Sequence, residues 1–301
     1  MHAWEQIQQT VNYIEDHLNE DINIEDLAKT ACLSPFYYQR LFSRLVKKPV
    51  AEYIKLRRVA KAADCLLQSD IRILDIALEL GFTSHEHFSR TFKNTFGLTP
   101  DEYRKNPQTL NHMTKPQLLL HYTLVDEEVP LITDGIVLEI HRKELKEPVH
   151  YMGLIKDVPI HHIDGLGTES GIDPLASLWD DFHKQKTALT CVSEEKEEIG
   201  AAYSSLKEGC FSYFAGMPYE HPEIPNTFKS WELPAGEYII CSFEAESFEA
   251  LVMDALYKAQ HYIYNTWLPK HKLQTDAFCA ERYASHSPDT TNMEIWLRNL
   301  I

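Results

Sequence analysis

The chain has 301 residues, of which 44% are hydrophobic and 25% charged, and this suits two globular domains that each bury a core. No apolar run reaches the roughly 18 residues of a membrane span, and the first residues lack a signal peptide, so a membrane or secreted protein is not expected. The net charge of −16 lies almost wholly after residue 110, where 30 acidic residues oppose 15 basic ones, so the nearly neutral first part remains compatible with nucleic acid.

The first part of the chain contains an internal repeat. The offset between the copies is 49 up to an alanine and 50 from an arginine onward, so one residue is inserted between these two groups. Each copy is too short to be a domain, which predicts two helix-turn-helix units in an all-α domain, residues 1–107. The paired positions are Ile24, Leu27, Ala28, Arg40, Phe42, Glu52 and Tyr53, which recur as Ile73, Ile76, Ala77, Arg90, Phe92, Glu102 and Tyr103.

Helical patterns run through these 107 residues, because apolar side chains recur at a spacing of three or four. Ser34 and Pro35 are typical of an N-cap and a first helical position. Ser84 occupies the N-cap of the equivalent helix in the second copy, and Gly81 allows the tight turn before it. The predicted helices cover residues 4–18, 25–30, 36–46, 51–68 and 73–80, with another after Ser84.

A basic run coincides with the repeat. Between residues 40 and 61 there are eight basic side chains and a single acid, Glu52. A solvated helix face is one interpretation of such a run, and a phosphate-binding surface is the other. The coincidence favours phosphate contacts, which fix the register on DNA without reading its sequence. The predicted contacts are Arg44, Lys47, Arg57, Arg58, Lys93, Arg104 and Lys105.

A family signature extends from Gly81 to Arg104. It reads Gly81-Phe82-Thr83-Ser84, Phe88-Ser89-Arg90, Phe92-Lys93, Phe96-Gly97, Thr99-Pro100 and Tyr103-Arg104. A half-signature in the first copy reads Leu27-Ala28, Ser34-Pro35, Tyr37, Gln39-Arg40 and Phe42. Together they resemble the AraC/XylS family of transcription regulators, over residues 5–107.

This resemblance implies two recognition helices that enter successive segments of the major groove, so that one chain binds an asymmetric site in double-stranded DNA without dimerising. It also implies an activator that works beside RNA polymerase in the cytoplasm. Arg, Gln and Glu suit base reading, because they pair with guanine, adenine and cytosine respectively. The implied base-reading residues are Phe36, Gln39 and Arg40 in the first unit, and His85, Glu86, His87 and Arg90 in the second.

Two positions in the first copy leave alternatives open. Phe36 either touches DNA or belongs to the core. Lys47 stands where the family usually has glycine, so either the turn after the helix is altered or Lys47 adds a phosphate contact.

Residues 108–133 are rich in proline at their edges and carry three consecutive acids, which predicts a linker. Strand patterns begin after it and predict a duplicated α+β domain over residues 134–301, with a cleft between its two strand-strand-helix-strand-strand modules. The predicted strands cover residues 137–145, 149–155, 199–203, 210–214, 229–233, 237–244, 277–283 and 293–300, and the predicted helices cover 174–186 and 248–267.

Three motifs in this second part resemble the GyrI-like effector-binding domains. They are Leu233-Pro234-Ala235-Gly236-Glu237-Tyr238, Trp267-Leu268-Pro269 and Glu281-Arg282-Tyr283. The resemblance spans roughly residues 136–300 and implies a small-molecule effector. A tandem helix-turn-helix domain followed by such a domain is the layout of Rob-type regulators.

Glu281 is the residue on which the effector prediction depends. It lies two positions from Tyr283 and so faces the same side of a strand. A carboxylate beside aromatic rings attracts amphipathic cations, with Tyr213, Trp179 and Trp231 as further walls. Alternatively the rings are ordinary core, Glu281 pairs with an internal Lys or Arg, and surface acidity merely keeps the domain away from DNA.

The sequence predicts neither a cofactor nor a metal site, and it predicts no catalytic residue. It contains no P-loop, nucleophile elbow or His-Glu-x-x-His motif. Its six cysteines include no Cys-x-x-Cys pair, so buried thiols in a reducing compartment are expected. The alternative is a small-molecule hydrolase with Glu281 as general base near Tyr283, since some GyrI-like relatives are hydrolases.

Overall fold

The protein divides into two compact units. The first comprises Met1–Leu119 with Gly165–Asp173, and the second comprises Leu120–Asp164 with Pro174–Ile301. The structure, a computed structural model, describes residues 3–68, 71–133, 136–160, 171–187, 197–219, 224–283 and 291–300.

The stretch predicted as a linker is largely packed structure. Leu110 and Met113 are buried in the cores of the first unit, and Gln8 accepts a hydrogen bond from the backbone N–H of Leu118 at 2.7 Å. The boundary between the units therefore lies after Leu119 rather than at 107, because apolar residues continue beyond the last predicted helix. The elements here are β1 (Leu110–Asn111), which pairs with β5 (Gly171–Ile172), followed by α8 (Leu118–Tyr122) and β2 (Leu131–Thr133).

The first unit is helical, as predicted, and each copy of the repeat has its own core. Tyr38 and Phe42 are fully buried in the first core, and Phe88 and Phe92 in the second. The helices are α1 (Ala3–Asp16), α2 (Ile24–Thr30), α3 (Pro35–Val46), α4 (Val50–Gln68), α5 (Ile73–Glu79), α6 (His85–Phe96) and α7 (Pro100–Lys105).

The two recognition helices, α3 and α6, begin and end in the same way. Ser34 and Ser84 are the N-caps, and each side chain accepts from a backbone N–H in the first turn. Lys47 and Gly97 end the helices in the left-handed conformation, with φ of 63° and 82°. The turn after α3 is therefore not altered, although a lysine has to adopt the conformation that glycine favours.

The second unit is built on one antiparallel sheet and two long helices. The strands of this nine-stranded sheet follow the order β2-β3-β9-β11-β10-β6-β7-β4-β8. Besides β2 they are β3 (Ile136–Leu145), β4 (Val149–Pro159), β6 (Glu198–Ser204), β7 (Cys210–Pro218), β8 (Lys229–Leu233), β9 (Gly236–Glu244), β10 (Phe278–Tyr283) and β11 (Asn292–Arg298).

This order confirms the predicted duplication and adds an exchange that the sequence did not predict. The two halves meet where β10 pairs with β6, and outward from there β11 and β9 correspond to β7 and β4. The outermost positions are exchanged, because β3 of the first module pairs with β9 of the second, while β8 of the second pairs with β4 of the first.

The helices α9 (Ala176–Thr187) and α10 (residues 248–271) pack against the same face of the sheet. Helix α10 contains two π-helical stretches, Leu251–Ala255 and Ile263–Trp267, separated by an α-helical one. A separate apolar cluster that includes Tyr238 and Trp296 lines the opposite face. One face of the sheet is therefore covered by the two helices, and the other carries this apolar cluster.

Replacing Lys47 with glycine is expected to raise the free energy of unfolding of the helical unit by about 0.5–1 kcal/mol, because glycine adopts the left-handed conformation without a Cβ clash. Gly97→Ala, the reverse change in the second copy, should lower it by about 1 kcal/mol. Urea denaturation of the full chain followed by far-UV circular dichroism measures both. Lys47→Ala is the control, since it removes the charge and keeps Cβ; a gain equal to that of glycine would contradict the strain explanation.

Candidate functional site

The exposed surface of α3 carries the three residues that the sequence assigned to base reading. Gln39 and Arg40 are exposed, and Phe36 is 62% exposed, so Phe36 does not belong to the core. The guanidinium carbon of Arg40 lies 5.6 Å from the centre of the Phe36 ring. This cation–π contact places an aromatic ring beside the guanidinium of Arg40 on the first turns of the helix.

The equivalent surface of α6 carries different chemistry. His85, Glu86, His87 and Arg90 are all exposed, while Phe88 anchors the helix from its buried side. A hydrogen bond from its own backbone N–H, and then one from the Ser84 hydroxyl, hold the pKa of Glu86 below its ordinary value, so Glu86 is an anion at neutral pH.

Tyr37 is an exposed aromatic residue that the base-reading assignment missed. It is 63% exposed, and its ring centre lies 5.5 Å from that of Phe36. The available signal was the helical spacing, since Tyr38 and Phe42 occupy the buried face and Tyr37 falls beside it.

Four of the residues predicted to contact phosphate are exposed, as such a role requires. Arg44 lies on α3, Lys47 is the residue at which α3 ends, and Lys93 lies on α6; all three side chains are exposed. Lys105 is also exposed and forms an ion pair with Asp101 at 2.6 Å.

Arg57 does not fit its predicted phosphate role, because its guanidinium is engaged inside the helical unit. It donates two hydrogen bonds to Glu15, at 2.8 and 2.9 Å, and a third to the carbonyl of Met113. Tyr53 donates to the same carboxylate. The side chains of Arg57 and Glu15 are only 17% and 12% exposed, so this pair holds α4 against α1.

Arg58 and Arg104 are also tied to backbone carbonyls rather than presented outward. Arg58 donates to the carbonyls of Leu18 and Glu20, and to that of Gly81 in the second copy. Arg104 donates to the carbonyl of Leu66 at 3.3 Å and to the carbonyl of Ile71 at 2.8 Å. Their physical role is to satisfy the carbonyls at helix ends and turns, which would otherwise lack donors.

In the second unit, Glu281 is buried on β10, and its carboxylate accepts from three neutral donors. Tyr213 donates at 2.6 Å and Tyr283 at 3.3 Å to one oxygen, and Gln260 of α10 donates at 2.9 Å to the other. Burial, and then the charge of Glu281, raise the pKa of both tyrosines well above the usual value, so both remain protonated donors. Gln260 was missed by the sequence, although a polar residue on the apolar face of a predicted helix was the available signal.

The strand opposite Glu281 is adapted to this arrangement. Gly200 of β6 pairs with Glu281 in the sheet, and a Cβ there would lie 2.1 Å from the Tyr213 hydroxyl. A glycine at this position therefore makes the contact between Tyr213 and Glu281 possible. Trp179 of α9 packs edge to face against the ring of Tyr283; the two ring centres are 5.3 Å apart and the ring planes make an angle of 72°.

Trp231, the fifth residue of the predicted effector site, lies on the other face of the sheet. It packs with Tyr151, Phe214 and Phe278. Phe214 follows Tyr213 directly, and neighbouring residues of a strand point to opposite faces. Trp231 therefore packs in the apolar cluster opposite Glu281, and the structure does not bring it together with the other four residues of the predicted effector site.

A second buried carboxylate, which the sequence did not reveal, lies on the same face as Glu281. Glu198 of β6 is fully buried and pairs in the sheet with Tyr283. It accepts hydrogen bonds from His183 at 3.0 Å and Lys186 at 2.7 Å, both on α9. Burial alone would raise the pKa of Glu198, but these two donors outweigh it, and the pKa lies below its ordinary value.

Four acidic residues of the second unit line a cavity on the face of the sheet opposite the helices. This cavity of about 340 Å³ opens at the ends of β3, β9, β10 and β11. Its lining includes Glu139, Glu197, Glu244 and Glu294, together with Arg282, which pairs with Glu197 at 2.6 Å.

Within the described ranges, no helix is both long and apolar enough to cross a membrane. The same residues contain no group of three or more His, Cys, Asp or Glu side chains placed to hold a metal ion.

Two family profiles match the chain. A helix-turn-helix domain profile covers residues 27–106. A profile described as the GyrI-like small molecule binding domain covers residues 141–299, which is more than half of the chain.

Three relatives illustrate the similarity of the chain to known proteins. YbfP of Bacillus subtilis, an uncharacterized HTH-type transcriptional regulator, is 47% identical over 98 residues, 33% of this chain and 33% of its own. The regulatory protein SoxS of Salmonella typhimurium is 38% identical over 98 residues, 33% of this chain and 92% of its own. The Right origin-binding protein of Escherichia coli is 33% identical over 127 residues, 40% of this chain and 44% of its own. The match thus spans a third of YbfP and nearly all of SoxS.

Glu198→Gln is expected to destabilise the second unit by about 3 kcal/mol at neutral pH, because the half-buried ammonium of Lys186 would lose its buried carboxylate partner. The pKa of Glu198 is lower in the folded state than its ordinary value of 4.5, so the stabilisation is present above pH 4.5 and is lost as the pH falls through the folded pKa. Urea denaturation between pH 7 and pH 3 should therefore show a shallower loss of stability on acidification in Glu198→Gln than in the wild type. Glu144→Gln, at an exposed position of β3, is the control; equal slopes in Glu198→Gln and wild type would contradict the assignment.

Proposed function

Because this chain belongs to the GyrI-like small-molecule-binding family and joins that domain to an AraC-type helix-turn-helix domain, we propose that it is a transcription regulator whose action on DNA responds to a small-molecule effector. The helical unit is the DNA reader, and the sheet unit is the effector-binding part. The observation that carries the proposal is the pair of capped helices, α3 and α6, with exposed and different polar surfaces.

The reading of DNA is assigned to two unequal helices in one chain. At equivalent positions α3 carries Phe36 and α6 carries Glu86, whereas Arg40 and Arg90 correspond to each other. Phe36 suits contact with a thymine methyl group, while Glu86 suits a cytosine amino group. Two different half-sites in a fixed order follow, so that a monomer suffices for a specific, asymmetric site in double-stranded DNA.

Activation beside RNA polymerase completes the regulatory proposal. It rests on the resemblance to AraC-type regulators and on the SoxS similarity. A cytoplasmic location is part of the same proposal, because a transcription regulator of bacterial type acts where the DNA lies.

The effector is proposed to be a small organic cation with an apolar body. Glu281 supplies the negative charge, while Tyr213, Tyr283 and Trp179 supply aromatic walls. Tyr213, Tyr283 and Gln260 hold the Glu281 carboxylate in place, and carboxylates beside aromatic faces bind quaternary and primary ammonium groups well.

Hydrolysis is not part of this proposal. The relatives with a named role are described as regulatory or origin-binding proteins.

Arg40→Ala and Arg90→Ala are each expected to reduce the preference of the full chain for its selected duplex over random duplex by about 10- to 100-fold, because each removes a bidentate guanine contact. The selected duplex comes from repeated rounds of binding to a randomised library, and fluorescence anisotropy gives both affinities.

Lys93→Ala is the matched comparison, because a phosphate contact weakens binding to every duplex equally and lowers the salt dependence by about one counterion. Unchanged preference in both arginine variants would refute the groove assignment. Equal losses for the three variants would leave no distinction between base and phosphate contacts and would refute it as well.

Glu281→Gln is expected to abolish the stabilisation of the full chain by cationic amphiphiles, since the amide keeps the shape and removes the charge. Thermal unfolding with benzalkonium and with dodecyl sulfate, both below their micelle concentrations, measures the response.

Glu244→Gln removes the same charge from the opposite face of the sheet and is the control. A cation response that survives in Glu281→Gln, or that is lost equally in Glu244→Gln, would show that surface acidity rather than the buried carboxylate selects the ligand.

A further inference from the structure

The backbone of the two repeat copies locates the single residue by which they differ in length. Up to the turn between the helices the copies correspond at an offset of 49. The N–H of Leu33 donates to Ala28 at 2.9 Å, and the N–H of Phe82 donates to Ala77 at 2.9 Å. The preceding residues, Cys32 and Gly81, both have positive φ, at 53° and 72°.

From the next cap onward the offset is 50. Ser34 and Ser84 cap α3 and α6, and the capped N–H groups belong to Tyr37 and His87. Leu33 is followed directly by its cap, whereas Phe82 is separated from Ser84 by one residue. The inserted residue is therefore Thr83.

The side chain of Thr83 contacts one of the candidate base-reading residues. Its hydroxyl oxygen lies 3.3 Å from Nδ1 of His87, one turn into α6. The Phe82 ring meets the same imidazole edge to face, with centres 5.6 Å apart and planes at 73°. The ring of an exposed histidine is thus restrained from two sides.

The first helix-turn-helix copy has no equivalent of this restraint. The counterpart of His87 is Tyr37, and its ring packs against Phe36 within its own helix. Because Leu33 is followed directly by the cap, the turn has no position that corresponds to Thr83. The insertion and the contact to His87 are therefore found in the second helix-turn-helix copy alone.

We propose that Thr83 is a positioning residue that sets the tautomer of His87 and thereby the base that the second recognition helix selects. A hydroxyl can either donate to Nδ1 or accept from Nδ1–H; in the proposed arrangement the Thr83 hydroxyl donates, so the ring proton lies on Nε2. A donor in the major groove selects acceptors, of which guanine presents two, N7 and O6, adenine and thymine present one each, and cytosine presents only an amino donor. The base preference rests on the proposed DNA-binding function; the tautomer does not.

The test uses two substitutions of Thr83 in the full chain. Thr83→Val keeps the shape and removes the hydroxyl, while Thr83→Ser keeps the hydroxyl. Nitrogen-15 NMR of histidine-labelled protein at pH 8, where imidazoles are neutral, reports the tautomer, and the His87 signals are assigned by their loss in His87→Gln. Selection from a randomised duplex library reports the base preference of each variant.

The wild type and Thr83→Ser are expected to show the Nε2–H tautomer of His87 and a guanine preference at one position of the second half-site. Thr83→Val should show a mixture of tautomers and a preference about three- to tenfold weaker at that position alone, the equivalent of one lost hydrogen bond. Thermal unfolding of all variants identifies a merely structural effect, which would weaken binding to every duplex and leave the tautomer unchanged.

An unchanged tautomer in Thr83→Val overturns the proposal, as does a changed tautomer with an unchanged base preference. Absence of any selected duplex for the wild type would instead refute the proposed DNA-binding function, while the NMR comparison would still decide whether Thr83 controls His87.

Discussion

The helical unit depends on one constraint, the anchoring of the joining helix α4 by arginines that face inward. Arg57 donates hydrogen bonds to Glu15 of α1. Arg58 donates to the carbonyl of Leu18, just after α1, and to that of Gly81 in the second copy. Each guanidinium has several donors in a fixed plane, so one side chain can satisfy carbonyls from separate segments. The relative setting of α3 and α6, and with it the spacing of their exposed residues, follows from these contacts.

In the sheet unit the corresponding constraint is that buried carboxylates need hydrogen-bond donors. Glu198 and Glu281 lie on neighbouring strands and face the same helices, but their partners differ. Glu198 is held by Lys186 and His183 and therefore contributes to stability. Glu281 accepts from hydroxyl and amide donors and lies beside aromatic rings. Both acids are buried, but their surroundings differ, which is why we propose a ligand-binding role for Glu281 alone.

Duplication followed by divergence is common to both units. In the sheet unit the two modules exchange their outer strands and meet at β10 and β6, which places Glu281 at the junction of the halves. In the helical unit the copies keep the same caps and turns, while the exposed positions change from Phe36 to Glu86 and from Tyr37 to His87. Buried positions are constrained by packing and remain similar, whereas exposed ones are free to acquire separate ligand chemistry.

The sequence alone determined the elements, because hydrophobic periodicity and cap residues act locally. The bounds of α3, the start of α6, the strand pattern and the exposure of Arg40 and Arg90 all follow from such signals. Tertiary structure alone decided which charged side chains turn inward. A basic residue on a helix has the same local pattern whether it meets a phosphate or a buried carbonyl, so Arg57 and Arg58 were indistinguishable from Arg44. Likewise the face to which Trp231 belongs, and the partner of Glu198, depend on strand order and on helix α9. These are contacts between residues far apart in the chain, and no local pattern encodes them.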